Sequence, residues 1–515
     1  MKTYKINVLA IAMVLVGCAG KEDKTGAEAP VRYSQEMIEE HLHGWYNKDV
    51  LVAFPYADGA EAVPDGAVEA SWDYVPGVVA KGILDCWEYY QDSVWADEWY
   101  KSLCEWGLRQ QATDRGGILD DLNCAKVFLE LYEGAKPGGK FENEENAAYF
   151  MEQMQRAARG LEEHKNRYSI QLRDESSGFG EDEPEVNGGW MHKATDDPTR
   201  SYRGQMWCDG AYMGPALLAQ LLAAGACEGI GLGWNDVYDQ FYASWPYLWD
   251  EEKKLLYHVL FTDVEVNKNA KAIYEAGHLY KCTKEQCTMY EEPFTIYHSE
   301  EFWGRAAGWY ILALVDVLEA YLINVQGDEG QGTKELPSAQ HFDALREYLQ
   351  MLADGLVARQ DPKTGCWYQL LQYGPEKCVT QGVDATGSDK YTNVGEGGTQ
   401  CNYLESSASC LITAALLKGS RLGLIDHMEA GKRGFEGIQR TFVREVPSTK
   451  DKGARLTITG SCQSAGLGKD RWGNAAYYLI GKDVPIQDNT EGKVLGAYLM
   501  AAVEYERAVS LHSNL

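Results

Sequence analysis

The chain has 515 residues, with 48 Lys and Arg against 77 Asp and Glu and a formal net charge of −29. Acidic residues run along its whole length and no basic stripe exists to displace counterions from phosphates, which excludes nucleic acid as a partner. An acidic ligand has to be held by a local cation in a pocket, because the surrounding field is screened beyond about 8 Å at physiological salt.

The N-terminus reads as an export signal. Lys2 and Lys5 precede an apolar run from Val8 to Val16 that is too short to span a bilayer and ends in LVGC at Cys18. Gly17 before Cys18 resembles the bacterial lipobox, in which the cysteine receives lipid and becomes the mature N-terminus. The alternative is an ordinary cleaved signal with an incidental cysteine. The expectation is an exported lipoprotein of the cell envelope, touching the membrane only through lipid on Cys18. Residues 1–18 are then the signal, the polar residues 19–34 a tether, and 35–515 one domain.

Beyond the tether, apolar residues recur at helical spacing: Val78, Val79 and Ile83; Leu122, Leu129 and Tyr132; Leu217, Leu218, Leu221 and Leu222; Tyr310, Leu314, Val317 and Leu318. Strand-like alternation is scarce, with Leu456 to Thr459 the clearest case. Helix pairs return at very roughly 50-residue intervals without strict self-similarity, which favours a closed ring of helical hairpins over an open solenoid. Fifteen Trp and 32 Tyr suit a protein that stacks rings on sugars, although aromatics also pack cores. Twelve cysteines follow Cys18. No CxxC pair or finger-like histidine spacing occurs, so a structural zinc is not expected; Cys282 and Cys287 are placed to close a short loop, and Cys124, Cys227 and Cys410 read as core.

Four stretches carry candidate chemistry. In ILDDLNCAK, Asp120 and Asp121 open a helix, either as caps suited to the helix dipole or as a carboxylate near a second one, whose proton affinity it would raise. NGGWMHK puts His192 and Lys193 in a Gly-flanked loop, where the histidine either is structural or contacts substrate. QMWCDGAYMG seats Asp209 among aromatics before ALLAQLLA, where it either caps a helix or moves protons. In HSEEFWGRAAGWY, Arg305 and Trp309 are four apart, on one face of a helix near its start. Arginine there grips a carboxylate through two parallel hydrogen bonds, unless it is simply a surface arginine beside a core Trp.

Taken with WDYVPGV at 72, TGCWYQ at 364, NYLESSAS at 402 and NTEGKVLGAYLMA at 489, these stretches give the chain a resemblance to the unsaturated rhamnogalacturonyl hydrolases, over nearly all of its mature length. The resemblance implies an all-α (α/α)6 barrel with its site at the loop end. It implies hydration: an aspartate protonates C4 of the C4=C5 enol ether of a terminal unsaturated galacturonyl residue, water adds at C5, and the hemiketal opens to expel the next sugar. The roughly 5 Å carboxylate spacing of retaining glycosidases does not govern such a site. By the resemblance Asp209 is the general acid and base and Asp120 the second carboxylate. His192 and Lys193 are polar contacts, Met213 and Tyr74 pocket wall, and Trp303, Arg305 and Trp309 the sugar platform with its cation.

No metal or organic cofactor is implied, and the partner is an acidic oligosaccharide. One departure stands out: members carry a histidine about twenty residues before WGR, where this chain has Cys282, with His278 four positions away. Either His278 substitutes or the contact is missing. The alternatives are an unsaturated glucuronyl hydrolase, or a glycan-binding lipoprotein without catalysis.

Overall fold

The computed structural model describes residues 32–57, 62–171, 187–193, 204–261, 268–282, 296–327, 337–385, 393–447, 454–468 and 471–513. Residues 1–31, Cys18 among them, and Cys287, the expected partner of Cys282, therefore lie outside the described residues.

Outer and inner helices alternate along the chain. In order they are α1 (Tyr33–His41, outer), α2 (Tyr74–Tyr90, inner), α3 (Asp97–Gly107, outer), then α4 (Leu119–Asn123) and α5 (Lys126–Ala135), both inner. There follow α6 (Glu144–Tyr168, outer), α7 (Cys208–Met213) and α8 (Pro215–Ala223), both inner, α9 (Trp234–Leu248, outer) and the flanking α10 (Lys268–Glu275). The last are α11 (Gly304–Gly327, inner), α12 (Ala339–Val357, outer), α13 (Ser406–Arg421, inner), α14 (Met428–Phe442, outer), the short α15 (Ala475–Ile480) and α16 (Gly492–Ser513, inner). α2 packs on α5, α5 on α8, α8 on α11, α11 on α13, α13 on α16, and α16 back on α2. Six inner positions thus close on themselves inside an outer layer, the (α/α)6 barrel.

Sequence pattern sorts the two layers. α14 is amphipathic: Ala430, Phe435, Ile438 and Phe442 face inward while Arg433, Glu436 and Arg440 stay exposed. α11 is apolar all round; it is long and apolar enough to cross a membrane by composition, and most of it is buried inside the ring. Trp45, Trp106, Trp303, Trp309 and Trp367 are among the largest fully buried side chains, so much of the aromatic content is core rather than loop surface.

Four expectations are corrected or sharpened. Asp209 is in the first turn of α7, behind Trp207, and makes no capping hydrogen bond; the next helix starts separately at Pro215 after Gly214. Asp120 and Asp121 do not cap α4 either, whose N-cap is Ile118. The tether stops before residue 34, because Ser34 in α1 bonds Glu506 through its N–H (2.9 Å) and Oγ (2.6 Å). Near Leu456, a strand spans Ala454–Ile458 and pairs with Val443–Pro447. Cys124 and Cys410 are buried as expected, Cys227 only partly, and a disulfide joins Cys378 to Cys401 across paired strands.

The ring shuts where α2 meets α16. A Cβ on Gly82 would stand 2.7 Å from the Gly496 carbonyl oxygen, and one on Gly496 would run into the Val78 carbonyl. Neither neighbour is a flexible side chain, so Gly496→Ala forces the helices apart. It should cost about 1–3 kcal/mol, seen as a lower urea midpoint with unchanged slope.

Candidate active site

The loops at one end of the ring surround a cavity of about 650 Å³ whose lining includes all nine catalytic and binding candidates: Tyr74, Asp120, His192, Lys193, Asp209, Met213, Trp303, Arg305 and Trp309.

The first carboxylate is placed by a clamp from α6. Gly116 lies so close to the His164 backbone that a Cβ there would collide. The His164 ring accepts the Gly117 N–H at Nδ1 (3.3 Å) and donates from Nε2 to the Met191 carbonyl (2.8 Å). The two loops so joined are also tied by Leu119 N–H to the His192 carbonyl (3.1 Å), and His192 N–H continues to the Gln205 carbonyl (2.8 Å). As a result His192 Nε2 sits 3.1 Å from Asp120 Oδ1. Burial pushes the Asp120 carboxyl up, but His192 and Lys193 outweigh it and hold the group below its ordinary range. Asp121 beside it is pushed up, by burial first and then by the Asp120 charge.

The second carboxylate is placed by a small sheet. The strand Gln205–Trp207 runs antiparallel to Val259–Phe261, Trp207 opposite Val259, and Cys208 N–H bonds the His258 carbonyl (3.0 Å). This brings His258 Nε2 within 3.2 Å of Asp209 Oδ2, two buried atoms in ion-pair reach of each other whose alignment falls short of a hydrogen bond in the substrate-free site. Burial pushes the His258 pKa down, against the upward pull of Asp209, so the imidazole is neutral near pH 7. The Trp207 indole separates the two pairs. It lies flat on His192 (centroids 4.4 Å apart, 4° between planes) and turns its edge to His258 at 5.5 Å.

Arg305, in the first turn of α11, is buried. Its guanidinium donates to the Cys462 carbonyl (2.6 Å) and Ser407 Oγ (3.2 Å) and lies 4.7 Å over the Trp303 ring. Ser407 in turn donates to Glu405, which also accepts the Ala408 and Cys462 N–H groups. The surface-arginine reading is thereby excluded. Trp309 packs on Tyr212 at 4.7 Å, adding a rigid wall.

Sequence reasoning missed His258, Trp207 and three more cavity cations, Lys48, Arg471 and Lys493. His258 stands alone in the apolar run LLYHVLF, with no spacing to mark it. Lys493 pairs with the buried Glu491 at 2.5 Å. Lys48 sits at φ 56° in a two-residue hairpin turn, a place where glycine is usual. Cys282 and His278 do not line the cavity; His278 Nδ1 donates to Glu300 (2.7 Å) and its ring stacks on Trp472.

A ring of helical hairpins around a cavity bearing carboxylates, buried aromatics and a held arginine defines a class of carbohydrate-active enzymes. The chain matches Glycosyl Hydrolase Family 88 over residues 56–176, 179–388 and 388–509. It belongs to that family and is a glycoside hydrolase. Among similar proteins, Protein Atu3128 of Agrobacterium fabrum is 30% identical over 211 residues, 40% of this chain and 72% of that one. The fold is shared with a family 105 glycoside hydrolase of C. acetobutylicum ATCC 824 (TM-score 0.56, 23% identity, 93% of this chain and 100% of that one). It is shared also with a possible member of family 105 from Salmonella enterica serovar Paratyphi A (TM-score 0.52, 15% identity, 94% and 96%).

The α6 clamp is acid-sensitive. Burial takes the His164 pKa from 6.5 to about 4 in the folded protein, so its contribution is complete above pH 6.5 and is lost as pH falls towards 4. Unfolding free energy should decline across that window with a slope reaching about 1.4 kcal/mol per pH unit for this group. Urea titrations of His164→Gln should show a shallower decline over the same pH range.

Proposed function

We propose that this enzyme removes the 4,5-unsaturated galacturonyl residue from the non-reducing end of lyase-generated rhamnogalacturonan fragments, by hydrating the double bond. The observation that carries this reading is the placement of Asp209, backed by His258, in the same cavity wall system as the buried Arg305.

Asp209 gives its proton to C4 of the enol ether, and positive charge develops at C5 and the ring oxygen. Water adds at C5 and returns a proton to the Asp209 carboxylate, which restores the acid. The hemiketal then opens with loss of the neighbouring sugar as an alcohol. His258, with Nε2 3.2 Å from Oδ2, stands where it can steady Asp209 in its ionised interval. Asp120, held low by His192, stays ionised and accepts hydrogen bonds from sugar hydroxyls. Arg305 and Lys193 counter the uronate charge that a chain of this acidity would otherwise repel, and Trp303 and Trp309 wall the ring. A glycan-binding protein without catalysis has no need of Asp120, Asp209 and Arg305 around one cavity.

Incubation with lyase-digested rhamnogalacturonan should bleach the enol-ether absorbance. Turnover of unsaturated galacturonyl-rhamnose should exceed that of an unsaturated glucuronyl disaccharide; the reverse order would assign the glucuronyl substrate instead. Asp209→Asn should keep substrate affinity while losing about a hundredfold to ten-thousandfold in kcat, measured by the same absorbance and by calorimetric binding.

The lipid anchor belongs to the same proposal. A cross-strand disulfide between Cys378 and Cys401 suits an oxidising compartment outside the cytoplasm. In a bacterial host, Cys18→Ala should move the protein out of the detergent-requiring membrane fraction.

A further inference from the structure

The second ring nitrogen of His258, on the side away from Asp209, is met by a tyrosine hydroxyl. Tyr478, in α15, is fully buried, and its hydroxyl lies 2.6 Å from His258 Nδ1. Its backbone carbonyl accepts Gln369 Nε2 (3.1 Å), and Gln369 Oε1 accepts the Trp303 indole N–H (3.1 Å). One tyrosine therefore touches the histidine behind Asp209 directly and the tryptophan under Arg305 through one amide. α15 is itself fixed, by Asn474 accepting the Tyr477 N–H at its start (2.9 Å) and by Tyr477 Oη accepting the Gly466 N–H (2.9 Å).

We propose that Tyr478 is a positioning residue that sets the tautomer of His258, so that Nε2 carries the hydrogen facing Asp209. Among the described residues the Tyr478 hydroxyl has no hydrogen-bond partner besides His258, and burial pushes its pKa well up, so it remains a donor. Donation into Nδ1 leaves that nitrogen as acceptor and puts the ring's one hydrogen on Nε2, against the Asp209 carboxylate. The opposite tautomer would aim a lone pair at Oδ2, where it favours the protonated acid and fails to support the carboxylate left after proton transfer to C4. A second proton on His258 must displace the tyrosine's hydrogen bond. The charged and titratable groups facing the ring are Asp209 from α7, His192 from its loop, Arg305 from α11 and Tyr478 from α15.

This inference rests on the catalytic reading of Asp209, and its test separates the two. In full-length protein labelled with 15N-histidine, the His258 signal, assigned by its loss in His258→Gln, reports the tautomer without any substrate. The wild type should show protonated Nε2 and bare Nδ1. Tyr478→Phe keeps the ring and removes the donor. In it the fixed tautomer should be lost, kcat should fall about tenfold to a hundredfold, as for other groups that orient a functional histidine from behind, and KM should stay within about twofold. The acid limb of kcat should move to higher pH, because the neutral ring loses its stabilising donor. A wild-type His258 with its hydrogen on Nδ1 would overturn the proposal, as would a Tyr478→Phe enzyme with unchanged tautomer and acid limb. If the wild type turns over no unsaturated uronide while the tautomer is as stated, the catalytic reading fails and the tautomer assignment stands.

Discussion

A row of six helical hairpins stays an open solenoid until its last helix touches its first, so the contact between α16 and α2 governs the rest of the barrel. Two facing glycines, Gly82 and Gly496, let the backbones approach to side-chain-free distance, and the interior cannot be dry without that approach. The seam also reaches the cavity. Tyr74 opens α2, and Lys493 lies in the first turn of α16, with Glu491 just before it. Both Tyr74 and Lys493 line the site, so the width of the cavity on that side is set by helix packing rather than by loop conformation.

Within the cavity the main device is separation. Two carboxylates in one acidic protein would tend to share a proton, yet each here has its own histidine, and a tryptophan ring stands between the pairs. Asp120 is pulled toward the permanent anion by His192 and Lys193, while Asp209 faces a neutral imidazole that is too buried to charge easily. Chemically identical groups thus stand in unlike environments, the condition under which two carboxylates can divide acid and base work. The division is held by backbone hydrogen bonds, from Leu119 to His192, His192 to Gln205 and Cys208 to His258, so it belongs to the fold and not to side-chain adjustment.

Much of this is legible in the sequence alone. The helical spacing of the inner segments and the lack of strict repeats pointed to a closed ring, and the ordered motifs placed nine residues that do share one cavity. What failed depended on backbone detail. For Asp209 the spacing left cap and proton transfer both open, because an acid before an apolar helix is usually a cap; the separate start of α8 at Pro215 places it inside a shorter helix instead. His258 was invisible because its partner is assigned by strand register, Trp207 opposite Val259, and register leaves no trace in a lone histidine among Leu, Tyr and Val. Lys493 and Glu491 pair two residues apart at a helix entrance, where a buried pair has the same letters as an exposed one.

The sheet behind His258 has a further property. Its strand order runs from Leu279–Lys281 to Tyr297–Ser299, then Val259–Phe261, then Gln205–Trp207. The strand next to His258 is thus interior, and the segment between that histidine and the WGR motif supplies the outer two strands. Growth at a sheet's edge leaves interior pairings untouched. Insertion or rebuilding at the Leu279–Lys281 border therefore leaves in place the pairing of Gln205–Trp207 with Val259–Phe261, and with it the approach of the His258 imidazole to Asp209.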